Sequence, residues 1–232
     1  MDISRKTETV AHHTMAVVGG FFGVYALLTR SETFGSSETS NLIHLILSGF
    51  NGSSGDFLVR LGATLCYIAG IVFATLMPKF MRKGVFRFWA IAVDAIACVG
   101  LAWIPGKVNP VLALYPMFFA TAVQWLAYSQ ADGFSSATIF STNNLRQCFA
   151  GLTEFLYGRN KKHLEQFCFF AGTLVCFHLG VVYGFFAMKA WGIRSIYACL
   201  PLLAAGLGTT LWDHRKKAAQ KNEKNKKSAC IL

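Results

Sequence analysis

Apolar residues dominate six stretches of the chain, near 10–28, 58–78, 86–104, 111–129, 167–187 and 192–212. At about 1.5 Å of rise per helical residue, each is long enough to cross roughly 30 Å of hydrocarbon. The pattern predicts an all-α polytopic membrane protein with about six transmembrane helices. Two longer, more polar segments separate the first run from the second and the fourth from the fifth. The first contains FGSSETSNLIHLILSG at 34–49, with one acid, one histidine, one asparagine and several small hydroxyl residues.

Both polar segments read as short additional helices, amphipathic or re-entrant. Asn41, His44 and Ser48 share one face of the first, while Leu42, Leu45, Ile46 and Gly49 cover much of the rest. In the second, Asn144, Gln147, Gly151 and Glu154 form a stripe opposite Leu145, Phe149, Leu152 and Leu156. Spacings of three and four residues hold such stripes together on an α-helix. Ser36, Ser37 and Thr39 are candidate caps for the first helix, and Thr138, Ser141 and Thr142 for the second. Two placements fit: a surface helix in the headgroup layer, or a helix that begins at membrane depth. The second would aim free amides and a positive dipole end into the protein, a setting for an anion or a polar oxygen. The glycine-rich runs VVGGFFG and AAGLG allow helices to approach closely around it.

The two halves echo each other. TSNL at Thr39–Leu42 corresponds to TNNL at Thr142–Leu145, an offset of 103, and CYIAG at Cys66–Gly70 to CFFAG at Cys168–Gly172, an offset of 102. Three spans per half is an odd number, so the second copy enters the membrane in the opposite direction. The expectation is a 3+3 inverted repeat, with halves at about 10–104 and 111–212 and binding near their interface.

Composition supports a single membrane domain over 1–212. Hydrophobic residues make up 54% of the chain and charged ones 14%, against about 25% charged in soluble domains. The mean hydropathy is +0.44. The net charge of +11 is mainly topological information. With the N-terminus cytoplasmic, 17 of the 22 Lys and Arg residues fall inside, and the bias remains 10 to 5 without the tail. Both termini are therefore expected in the cytoplasm, with 213–232 as a basic tail attracted to anionic membrane lipids. Nothing resembles a nucleic-acid reader. Cys230 stands third from the end, so the prenylation pattern fails. The seven cysteines lack a CxxC pair, and Cys66, Cys98, Cys168, Cys176 and Cys199, inside apolar segments, read as small hydrophobes. Asn51–Ser53 forms a glycosylation sequon on the expected outer face.

Three polar positions and a proline lie inside apolar runs. Asp94 sits about 12 Å into its span by helix rise; it is either a coupling site for a proton or cation or half of a structural pair. Gln124 either hydrogen-bonds a solute or joins helices, and His178 reads first as structural. Pro201 is expected to bend or locally unwind the sixth span. No catalytic set, metal cluster or phosphate-cradling loop is present, so neither an enzyme nor a cofactor is expected.

GGFFGVYALLTRSETFGSSETSNL, followed later by ATAVQWLAYSQADGFSSATIFSTNNLR, resembles the two signature regions of the YoaK-like family of small membrane proteins. The resemblance covers roughly 10–212. It implies a Gly-x-x-Asp element whose acidic position is here Gly23, and a Thr-Gly-Asn element that here reads Thr39, Ser40, Asn41. In the second half Gln124 is retained, and the later element reads Thr142, Asn143, Asn144. Loss of the acid means that a role of that carboxylate does not transfer.

The leading expectation is a secondary transporter or permease for a small polar or anionic solute, with a non-transporting scaffold or accessory protein as the alternative. Thr39, Asn41, His44, Gln124, Thr142, Asn144 and Gln147 would bind the solute. Asp94 and His178 would couple an ion or support the fold.

Overall fold

Long apolar runs without internal breakers become long helices, and the breakers present here shorten the rest. The computed structural model describes residues 3–30, 38–50, 54–81 and 84–229. The candidate caps Ser36 and Ser37, the sequon at Asn51 and the terminal Cys230 lie outside the described residues. The chain is all-α and 87% helical. In order come α1 (Ile3–Thr29), α2 (Glu38–Phe50), α3 (Ser54–Phe80), α4 (Phe86–Trp103), α5 (Pro110–Ala113) and α6 (Tyr115–Ala127). After β1 (Gln130–Ala131) and β2 (Phe134–Ser135) follow α7 (Thr142–Gly158), α8 (Lys161–Trp191) and α9 (Cys199–Ala229).

Among the described residues, four segments are long and apolar enough to cross a membrane: Lys6–Thr29, Ser54–Phe80, Phe86–Trp103 and the run Lys161–Glu223. The last holds α8 and α9, joined by a 3-10 segment at Gly192–Ala198. The span expected at 111–129 is divided. Pro116 lies in the first turn of α6 and has no amide to continue the preceding turn, so α5 stops and α6 restarts after Leu114. With 13 residues, α6 alone rises about 20 Å. Pro201 does not kink the middle of a span. It stands in the first turn of α9, where its missing amide would have no intrahelical partner. The expected domain edge at 212 falls inside α9, which runs on without interruption.

The α1 helix forms the centre of the bundle: 72% of its apolar window is buried, against 39% or less in the other three segments. It packs on α8 and α9, while α6 packs on α3 and α4, and α4 meets α9. Small residues set the α1–α8 crossing. A Cβ at Gly20 would strike the Phe177 carbonyl, and one at Gly180 the Val17 carbonyl. These helices run in the same direction, with His13 beside Phe169 and Gly184 beside Val24. Likewise α3 runs with α6, Gly62 lying against Tyr115 and Gly70 against Phe119.

The two short helices fold back on their successors. Gly49 near the end of α2 meets the Phe57 ring of α3, and Gly151 of α7 meets His163 and Phe167 of α8. Between α6 and α7, Asp132 and Gly133 both have positive φ and close the β1–β2 hairpin, as a two-residue type I′ connection requires.

Charged groups gather at the end where α1 starts. Arg87 Nη2 donates to Glu8 Oε1 (3.0 Å) and to the Gln130 carbonyl (3.1 Å), and its Nη1 donates to Asp213 Oδ2 (3.3 Å). Lys217 pairs with Glu8 at 2.8 Å and with Asp213 at 3.0 Å. Thr7 Oγ1 donates to Asp213 Oδ1 at 2.7 Å. This clasp joins α1, α4, the hairpin and α9, and the first basic turn of the expected tail is part of it.

Candidate functional site

The starts of α2 and α7 open onto one cavity of about 570 Å3. From α2 come Glu38 and Thr39, and from α7 come Thr142, Asn143 and Arg146. Tyr67, Trp125 and Phe140 wall it. Tyr67 is the middle residue of α3, about 20 Å from either helix end by rise. The segment leading into α7 passes α1 at Gly19, where an added Cβ would meet the Thr138 carbonyl. Two short helices thus begin at the level of the middle of α3, although neither is long enough to cross the bundle.

Thr39 and Thr142 line this cavity as expected solute contacts would. Asn144 instead turns into the protein. Its Oδ1 accepts from Ser136 Oγ (2.9 Å) and the Ala137 amide (3.3 Å), and its Nδ2 donates to the Ala137 (2.6 Å) and Phe140 (3.3 Å) carbonyls. Asn144 therefore fastens the segment that supplies Phe140. Asn41 is buried, and its Nδ2 donates to Glu38 Oε2 at 3.3 Å. Gln124 is fully buried and donates through Nε2 to the Met15 carbonyl (2.9 Å) and to Thr138 Oγ1 (3.1 Å). It pins the same segment to α1. Gln147 accepts from Gln166 Nε2 through its carbonyl (3.1 Å) and its Oε1 (3.2 Å), tying α7 to α8.

Two expected stripes are corrected. His44 is exposed, and Leu45 takes its place beside Asn41 and Ser48 on the buried face of α2. Glu154 is also exposed, and Cys148 joins Asn144 and Gly151 on the buried face of α7. His178 is exposed, with Nδ1 2.7 Å from the Leu174 carbonyl of its own helix, away from the cavity. Asp94 is fully buried on α4, and among the described residues neither carboxyl oxygen has a hydrogen-bond partner. The pairing expected of a structural acid is not found there.

Sequence reasoning missed Glu38, Tyr67, Trp125, Phe140, Asn143 and Arg146 as lining residues. Glu38 directly precedes Thr39, and Trp125 directly follows Gln124, so both stood next to positions already marked. Glu38 lies in the first turn of α2, where a negative charge is favoured by the helix dipole. By contrast, α7 has no acid in its first turn, and Arg146 stands one turn in. Among the described residues, no group of three or more His, Cys, Asp or Glu side chains is arranged to hold a metal ion.

Searches of curated proteins and of solved structures gave no match. A match to the family described as "Protein of unknown function (DUF1275)" spans residues 12–209 and takes in α2, α7 and every residue lining the cavity. With nearly the whole helical bundle inside that match, the chain belongs to the DUF1275 family.

Proposed function

We propose that the protein is a small secondary transporter or permease whose polar solute binds where α2 and α7 begin. The observation carrying this reading is the shared cavity: two half-length helices present their starts to one space halfway along α3. Free amides and positive dipole ends there favour the oxygens of a polar solute. A cavity of about 570 Å3 also falls in the ordinary range for small-molecule sites.

We read the helix packing as a 3+3 inverted repeat, which accords with the same function. Exchanging α1 with α6, α2 with α7, α3 with α8 and α4 with α9 carries α1–α8 packing onto α6–α3. It also carries α1–α9 onto α6–α4, α2–α3 onto α7–α8, and α4–α9 onto itself. Such a repeat provides two similar states that open to opposite sides. In this scheme the clasp of Glu8, Arg87, Asp213 and Lys217 closes the cytoplasmic side. Asp94, a buried carboxyl without a hydrogen-bond partner among the described residues, is the coupling site for a proton or cation. The lysines of α9 beyond the clasp meet anionic lipid headgroups.

The competing reading is a non-transporting scaffold. It draws on Asn144, Gln124 and Gln147, whose polar groups are engaged by the chain itself. Single cysteines at Thr39 and Asn143, with the native thiols replaced, separate the two in sealed vesicles. Transport requires a membrane-impermeant maleimide to reach both positions from each side in turn. Labelling from neither side, or from one side under every condition, removes the transport reading.

A further inference from the structure

The two helix starts that share the cavity are electrically unlike. Glu38 Oε2 accepts from Asn41, while Oε1 is buried with no hydrogen-bond partner among the described residues. That atom is an acceptor waiting for a donor, and a buried acceptor left unpaired is costly. Across the cavity, Arg146 Nη2 donates to Asn143 Oδ1 at 3.0 Å, and the guanidinium has no ion-pair partner among the described residues. Glu38 offsets the positive end of α2, whereas Arg146 adds to that of α7. Tyr67, Trp125 and Phe140 line the same space, the last two edge to face with centroids 5.1 Å apart.

A simple anion fits only one end of this space, because Glu38 repels it at the other. We infer that the site takes a dipolar solute, with a cationic or N–H donor group at Glu38 and a carboxylate-like group at Arg146. Its flat apolar body packs on the aromatic wall. This rests on the reading of the cavity as a solute site and narrows the solute from polar or anionic to zwitterionic.

Three probes with one ring system test it on the full chain in lipid nanodiscs: tryptophan, tryptamine and indole-3-propionate. Calorimetry is expected to rank the zwitterion first. Glu38→Gln should weaken tryptophan and tryptamine about ten- to a hundredfold and leave indole-3-propionate unchanged or tighter. Arg146→Gln should weaken tryptophan and indole-3-propionate by a similar factor and spare tryptamine. Unchanged thermal unfolding of both variants excludes misfolding as the cause. Equal binding of anion and zwitterion, no effect of Glu38→Gln, or no binding of any probe overturns the dipolar assignment. Zwitterion binding without flux in vesicles keeps that assignment and removes transport, whereas flux of the anion alone does the reverse.

Discussion

Replacing Asn144 with alanine separates a fastening role from a solute-binding one. The side chain makes four hydrogen bonds, all to the segment between β2 and α7. Asn144 is only 1% exposed, so water does not replace those bonds without local opening. A hydrogen bond of this kind contributes about 1 kcal/mol net, and each buried partner left unpaired costs about 1–3 kcal/mol. Ser136 keeps its contact with His12 Nε2 at 3.0 Å, and part of the segment can relax. The expected loss is therefore about 2–4 kcal/mol. Reversible unfolding in mixed micelles, followed by far-UV circular dichroism, measures it. Trp125 fluorescence should also become more accessible to a soluble quencher, because Phe140 packs on that ring. A variant within about 0.5 kcal/mol of the parent, but with solute binding abolished, would refute the fastening role and return Asn144 to the solute.

Other substitutions probe the clasp, the helix crossing and the buried acid. Arg87→Gln leaves Lys217 to face both Glu8 and Asp213 and removes donors from two carbonyls; thermal unfolding should register a loss of about 2 kcal/mol. Gly180→Ala places a methyl against the Val17 carbonyl and should cost about 1–3 kcal/mol on the same assay. Gly23→Ala meets only the Phe177 ring edge at 3.9 Å and should be neutral or stabilising by up to about 1 kcal/mol. Asp94→Asn removes no recorded hydrogen bond, so stability should stay within about 1 kcal/mol; under the proposed coupling, flux in vesicles should lose its response to a pH gradient.

The helical class and the long runs were legible because apolar length alone specifies them. The placement of α2 and α7 was partly legible, since spacing identifies a face but not the surroundings of that face. In α2 the apolar residues Ile43, Ile46 and Leu47 are exposed while Asn41 and Ser48 are buried, the reverse of a water-soluble helix. His44, close in angle to Asn41, fell on the wrong side of that boundary. In α7 the same uncertainty exchanged Glu154 for Cys148. Gln124 was legible as a polar residue in an apolar run, but its partner Met15 lies 109 positions away, and no spacing rule reaches that far. The Asp132–Gly133 turn carried a readable hairpin signal that the surrounding polarity concealed.

Charge near the two ends of the described chain also holds the fold together. Counting Lys and Arg treats every positive residue alike, yet Arg87 and Lys217 are occupied by Glu8 and Asp213 within the fold. Arg215, Lys216 and Lys221 on α9 are exposed. The surplus that can meet a membrane surface is therefore carried by residues outside the clasp. Because α9 is continuous through Asp213 and Lys217, any tilt of that helix strains the ion pairs and the Thr210–Tyr128 contact of 2.9 Å together. Any movement of α9 relative to α1 and α4 therefore loads the whole clasp at once, because its ion pairs tie the three helices together.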